Sequence, residues 1–459
     1  MSSDSFAFAR GTFAPLSPRR FLQGLAAGSA VAGLGFVPMR RIALLVLCLC
    51  MSATIPVSKA DDQPEQSPAQ LDDLLQEAMA NSPELAAARS ERDAAQQRIA
   101  PAGALEDPML ELGVVNAPLD PLSLRREDMT MKMLGLSQKL PFPGKRDLRR
   151  AVATADADSL DLAVQETTNR LLRDVRVAYA ELSFNGESQR VVSRTNAALE
   201  QLVATARSRY DVGQAAQSDV LDAQTELERL SVEQLQLTSE NAALQSELRR
   251  LLGRTEGAAV INTPAPELVT LITADLVVED RPQLRALQAL VERNSRSIEL
   301  AEREYYPDFD VTLQYGQRDR TPDGMPRDDM VSLIVGLNLP IWRKSRLEPQ
   351  VAEARAMRSQ AQSMLAAQQF ETRAALEAQL TLAARLRQTV QIYENSLLPQ
   401  VRASVASALA AYRVGNVDFL TLRQAQLREF EVSTELAEAI ANHNKAVAEI
   451  ELLVGRSLP

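Results

Sequence analysis

The chain repeats itself. Ser82-Pro83-Glu84-Leu85 aligns with Arg281-Pro282-Gln283-Leu284 at a spacing of 199 residues, and the same spacing pairs Pro108 with Pro307 and Leu140-Pro141 with Leu339-Pro340. Farther along, Tyr210, Gly213, Ala223 and Gln224 pair with Tyr412, Gly415, Ala425 and Gln426 at a spacing of 202, so one three-residue insertion separates the two sets. A collinear series across each half marks a duplication, and any fold for this chain has to be built twice. Each half reads as helix, strand, strand, very long helix, turn, long helix.

The helical segments are rods. Val164, Leu171, Val175, Ala178, Leu182, Val192, Leu199, Val203, Ala206 and Tyr210 fall on one 4-3 register, with polar breaks at Thr168, Asn185, Gln189 and Asn196. Beyond the turn, Val220, Ala223, Leu227, Leu230, Leu237, Leu244, Leu248 and Leu251 resume the spacing. A sustained 3.5 period is the coiled-coil signature. A helix from Asp147 to Tyr210 is roughly 95 Å long at 1.5 Å per residue, more than a compact domain needs. The composition agrees: 46% of the 459 residues are hydrophobic but only 4% aromatic, the alphabet of long helices.

The strands are short and alternate. In Val331–Leu339 every odd position is large and apolar, and in Phe309–Tyr315 the odd positions are apolar and the even ones polar. Each predicts a strand with one greasy and one wet face. Four such strands cannot close a barrel, and open edges are not tolerated in lipid. If they span a membrane, several copies share one barrel; the strands alone do not fix how many.

Catalytic and nucleic-acid functions find no support. Residues 61–459 carry 44 basic against 59 acidic side chains, an unsuitable balance for holding phosphates. A zinc centre takes three or four His, Cys or carboxylate ligands, whereas the only histidine is His443 and both cysteines, Cys48 and Cys50, lie near the N-terminus. No enzyme activity, metal site or cofactor is expected. His443, in a polar stretch of the last helix, reads as a surface residue.

The N-terminus predicts export. Met39-Arg40-Arg41, the apolar run Ile42–Leu49 and Ser58-Lys59-Ala60 make a Sec-type signal peptide with the mature chain starting at Asp61. Upstream, Ser17-Pro18-Arg19-Arg20-Phe21-Leu22 resembles a twin-arginine leader in which Pro18 occupies a required arginine position, and Met39 is the expected initiator. The expected organisation is an upstream extension at 1–38, a signal peptide at 39–60, a flexible segment at 61–70, a first repeat at 71–254, a linker at 255–280 with Pro264 and Pro266, and a second repeat at 281–459.

The strand exit Leu136-Ser137-Gln138-Lys139-Leu140-Pro141-Phe142-Pro143-Gly144-Lys145-Arg146 resembles the outer-membrane efflux protein family (TolC-like). So does Arg209-Tyr210-Asp211-Val212-Gly213 leading to Asp219-Val220-Leu221-Asp222-Ala223-Gln224. The likeness covers nearly all of residues 71–456, and the strand exit is most similar to the branch serving cobalt–zinc–cadmium and copper–silver resistance. The resemblance implies a mainly α fold with a small membrane β part: a homotrimer with a twelve-stranded barrel and a helical tunnel across the periplasm. It also implies a periplasmic adaptor and an inner-membrane RND pump as partners, and a passive duct carrying heavy-metal cations. The alternative cargoes are drugs, dyes or a secreted protein. A periplasmic adaptor or a purely structural coiled coil fits less well, since neither needs two matched halves with strand hairpins.

On that resemblance, the turns after Tyr210 and Tyr412 lie at the periplasmic tip, where the adaptor docks and the tunnel closes. Gly213 and Gly415 suit the left-handed conformation that ends a helix. Asp211, Asp219 and Asp418 become rings of carboxylates in a trimer, with Arg209 and Arg413 as candidate partners. Capping of the return helices by Asp219 and Asp418 is the plainer reading. On the barrel, Leu110, Leu112, Val114, Leu134 and Leu136 are expected to face lipid, and Glu111, Asp310, Met131 and Met133 the lumen. Thioethers suit soft copper(I) or silver(I) ions, so Met129, Met131 and Met133 invite a metal path. Apolar filling of the wall is the favoured expectation.

Overall fold

The computed structural model describes residues 70–457, apart from 121, 256–258 and 272–275. The two leader segments, Cys48 and Cys50 and most of the 61–70 stretch fall outside the described residues.

The first half opens with two helices where one is expected, α1 (Leu71–Asn81) and α2 (Pro83–Ala102). Pro83 lacks the amide hydrogen that would carry α1 onward, and the Ser82 hydroxyl accepts from the Leu85 amide to start the new helix. Strands β1 (Met109–Val115) and β2 (Met131–Leu140) follow, then the rod α3 (Lys145–Asp211) and its return α4 (Gln217–Leu251). The second half repeats the plan with α5 (Pro282–Arg303), β3 (Phe309–Gln317), β4 (Met330–Leu337), the rod α6 (Glu348–Ile392) and α7 (Leu398–Arg413), and the return α8 (Phe419–Val454). Its rod is interrupted by a π turn at Tyr393–Leu397, just ahead of Pro399, which cannot close an ordinary helical bond.

α3, at 67 residues about 100 Å long, packs against α2, α4, α5 and α8. Val164, Leu171, Val175, Ala178 and Leu182 are buried with Leu248, Leu251 and α1. Val192, Leu199 and Ala206 are buried with Ala223, Leu230, Leu237 and, from the turn between α7 and α8, Ala408, Tyr412, Phe419 and Leu422. Between these clusters the polar breaks are paired. Asn185 Nδ2 donates to the Leu237 carbonyl at 3.0 Å, and Asn241 and Gln189 donate to Asn185 Oδ1 at 3.0 and 2.9 Å. A buried amide that bonds in only one alignment fixes the register of α3 on α4.

The two hairpins are fused into one antiparallel sheet, order β1-β2-β3-β4, in which Leu136 pairs with Leu110 on one side and with Leu313 on the other. β1 and β4 are its open edges. The strand exit that carries the family likeness binds the halves together. Gly144, at φ +89°, makes the turn from β2 into α3, and the Phe142 ring stacks on Tyr306 with centroids 4.6 Å apart. Lys145 is fully buried, its Nζ donating to Asp308 Oδ1 at 2.8 Å, the Tyr306 carbonyl at 3.0 Å and Glu304 Oε2 at 3.2 Å. A second cross-half pair, Arg281 with Glu166 at 2.6 Å, is buried beside the start of α5.

His443 departs from expectation. It is 1% exposed, because the C-terminal third of α8 is covered by its neighbours, with Ile440, Ala446, Val447 and Ile450 also buried there. The described part of the 255–280 segment is pinned to the helices. The Gln245 side chain makes two hydrogen bonds to the backbone of Ile261, and Asn444 joins the Glu267 carbonyl and the Val269 amide.

Candidate functional site

Two places concentrate unusual chemistry: the helical turns that end α3 and α7, and the two faces of the sheet.

The turns are built alike. The Gly213 amide bonds the Tyr210 carbonyl at 2.8 Å and the Gln214 amide bonds the Arg209 carbonyl at 2.7 Å; in the second half Gly415 bonds Tyr412 at 3.1 Å and Asn416 bonds Ala411 at 2.9 Å. Both glycines have positive φ, +73° and +81°, where a side chain is strained. The return helices start differently. Asp418 caps α8, its carboxylate accepting from the Thr421 amide at 2.9 Å, and the Thr421 hydroxyl and amide hold its pKa below the usual carboxylate value. Asp219 does not cap α4. The capping position is Ala216, and Asp219 is the third residue of the helix, so the capping reading fails there and its carboxylate is left to other partners.

The duplicated tyrosines also part company. Tyr210 is 44% exposed while Tyr412 is 2% exposed, edge-on to Phe419 at 6.1 Å. Arg209 reaches from the first tip to the second, its guanidinium 4.7 Å from the centre of the Tyr412 ring and bonded to the Tyr412 carbonyl. Burial pushes the Tyr412 hydroxyl pKa up, the Asp219 charge pushes it further, and the Arg209 charge opposes. Arg209 and Tyr412 are therefore joined across the two halves, a contact that the repeat spacing gave no means of finding. Asp211 and Arg413 are exposed and form no ion pair among the described residues.

On one face of the sheet Leu110, Leu112, Val114, Leu134, Leu136, Leu313, Tyr315, Val331, Leu333, Val335 and Leu337 are all more than 40% exposed. Hydrogen-bonded neighbours in this set adjoin across all four strands, making one continuous apolar belt that water does not tolerate. Glu111, Asp310, Met131 and Met133 share the opposite face with Thr312, Gln314 and Ser332. No described helix is long and apolar enough to cross a membrane. Among the described residues no group of His, Cys, Asp and Glu is placed to hold a metal ion, and the buried His443 has its pKa lowered by desolvation. Lys145, Glu304 and Asp308 also escaped the sequence reading, although Lys145 stands in the strand-exit motif.

A sequence profile of the family "Outer membrane efflux protein" matches residues 74–254 and 274–456. Two curated Pseudomonas putida proteins, "Probable efflux pump outer membrane protein SepC" and "Toluene efflux pump outer membrane protein TtgF", are each 27% identical over 226 residues. Those alignments take in 47% of this chain and 46% of each relative, so the chain spans about half the length of the curated relatives it matches. Among solved structures, the outer membrane protein VceC of Vibrio cholerae superposes with a TM-score of 0.73 at 19% identity, over 85% of this chain and 97% of that one. CusC superposes with a TM-score of 0.72 at 15% identity, over 84% and 92%. The Campylobacter jejuni channel CmeC gives 0.71 at 12% identity, over 84% and 85%.

Proposed function

With both halves matched, this chain belongs to the outer membrane efflux protein family, and from that membership we propose that it is the outer-membrane exit duct of a tripartite efflux system. The observation that carries the reading is the four-stranded sheet with an exposed apolar belt and two unpaired edges, mounted on helices of up to 67 residues. Lipid satisfies the belt, and only copies of the same strands satisfy the edges without leaving backbone groups bare in hydrocarbon. Three copies give a twelve-stranded barrel with Glu111, Asp310, Met131 and Met133 facing its lumen. The rods form the tunnel, with the tips at 209–219 and 412–418 meeting the periplasmic adaptor. An inner-membrane RND pump supplies the energy; the duct is passive.

For cargo we propose heavy-metal cations, supported by Asp211, Asp219 and Asp418 around the tips, which become rings of carboxylate in a trimer. A second reading, an organic solvent or drug, is favoured by the similarity to the toluene efflux pump outer membrane protein TtgF. Outer-membrane fractionation and a heat-modifiable trimer on a gel test the duct itself; a chain found in the soluble periplasmic fraction overturns it. A susceptibility panel on a deletion strain tests the cargo. Sensitivity confined to copper, silver, cobalt, zinc or cadmium salts supports cations, and sensitivity to solvents, dyes or antibiotics alone overturns them.

A further inference from the structure

The lumenal face holds an arrangement that the methionine spacing in sequence does not reveal. Met129, Met131 and Met133 do not act together. Met129 precedes β2, where its carbonyl accepts from Asn116 Nδ2, and its side chain is 54% exposed in the connecting loop. In its place the second half supplies Met330. One cross-strand row runs Gly113, Met133, Gly316, Met330 over all four strands, so methionines alternate with glycines.

The glycines leave hollows. A Cβ on Gly113 would meet nothing within 4 Å, and a Cβ on Gly316 would stand 2.6 Å from Met131 Sδ, so that thioether already lies over the Gly316 backbone. Neighbouring strands are about 4.8 Å apart, which sets Met133 and Met330 about 10 Å apart across the Gly316 hollow, and Met131 is two residues from Met133 along β2. Three flexible side chains thus surround one floor with no side chain of its own. The adjoining row places Glu111 and Gln314 on either side of Gly135.

We propose that Met131, Met133 and Met330 form a thioether site for a soft monovalent cation, copper(I) or silver(I), on the lumenal face of the sheet. Thioethers are soft donors that select such ions over zinc, magnesium or calcium. They are also neutral, and an uncharged open site holds an ion weakly enough to release it, as a conducting wall requires. The proposal rests on the duct reading only in that this face must be reached from water; the binding itself does not depend on the cargo.

The test uses the full mature chain in detergent, carrying 13C-methyl methionine and titrated with silver nitrate. The methyl signals of Met131, Met133 and Met330, assigned by single Met→Leu variants, shift together and saturate, while those of Met357 and Met364 on α6 stay in place. Met131→Leu with Met133→Leu and Met330→Leu abolishes saturable binding. Gly316→Ala needs only the end of the flexible Met131 side chain to move, leaves the oligomer intact and weakens silver binding roughly 10-fold or more. Parallel shifts of all exposed methionines, or a triple leucine variant that binds silver as the parent does, overturn the site. Silver bound here by a protein whose deletion leaves metal tolerance unchanged upholds the site and overturns only the cation cargo. A monomeric, soluble chain would instead defeat the duct reading.

Discussion

Arg209, in the last turn of α3, holds Tyr412, in the last turn of α7: its guanidinium lies 4.7 Å from the ring centre and bonds the backbone carbonyl behind it. The two residues come from different halves of the duplication, so this contact ties the two helical tips of one chain together. A half-buried cation–π contact is worth about 1–2 kcal/mol. Arg209→Ala releases the second tip while leaving both helices formed. In planar bilayers the variant opens more often than the parent, and Tyr412→Phe, which keeps the ring under the Arg209 guanidinium and the backbone carbonyl it bonds, behaves like the parent.

The two tip glycines share a backbone shape but not a neighbourhood. An alanine at either position carries the left-handed strain of about 1 kcal/mol. At Gly213 nothing lies within 4 Å of the added methyl, whereas at Gly415 it meets Arg209 Nη2 at 3.3 Å. Both variants lose thermal stability, but only Gly415→Ala also raises channel opening as Arg209→Ala does. Equal opening in the two variants would separate the clasp from the gate.

Lys145 is the keystone between sheet and rods. Removing it takes the close cation from both carboxylates and leaves only the longer Arg149–Glu304 pair at 3.8 Å. Breaking such a pair costs about 3 kcal/mol here, at the low end because both carboxylates keep some exposure. Lys145→Met lowers the temperature at which the heat-modifiable oligomer dissociates, and Lys145→Met with Glu304→Gln and Asp308→Asn recovers part of it.

His443 makes stability depend on pH. Burial lowers its folded pKa below the ordinary value near 6.5, so the unfolded chain binds the proton more readily. The stabilisation is complete above that ordinary value and is lost as the pH falls through it toward the folded value. Denaturant titrations between pH 7.5 and 5 show this fall in the parent, and His443→Leu flattens that part of the curve.

Periodicity and duplication determined the plan of this protein from the sequence alone. A 3.5 repeat is a property of neighbouring residues, and it marked the buried faces of α3 and α4. Strand alternation, also local, puts Leu110, Leu112 and Val114 on the face opposite Glu111, and Met131 and Met133 on the face opposite Leu134 and Leu136, as the register has them. What lay between the halves was out of reach, because a repeat spacing says that two segments are alike and not which of them touch. Tertiary packing alone decided that Tyr412 is covered and Tyr210 is not, that Lys145 reaches 159 to 163 residues ahead for its carboxylates, and that Met330 stands where Met129 was expected. It likewise buried His443, whose polar neighbours in sequence point to water while the helices packed around α8 exclude it. Sequence set the elements because their signals are written within a few residues. The clasp, the keystone and the thioether row arise only when two copies of one plan settle against each other with different side chains at matching places.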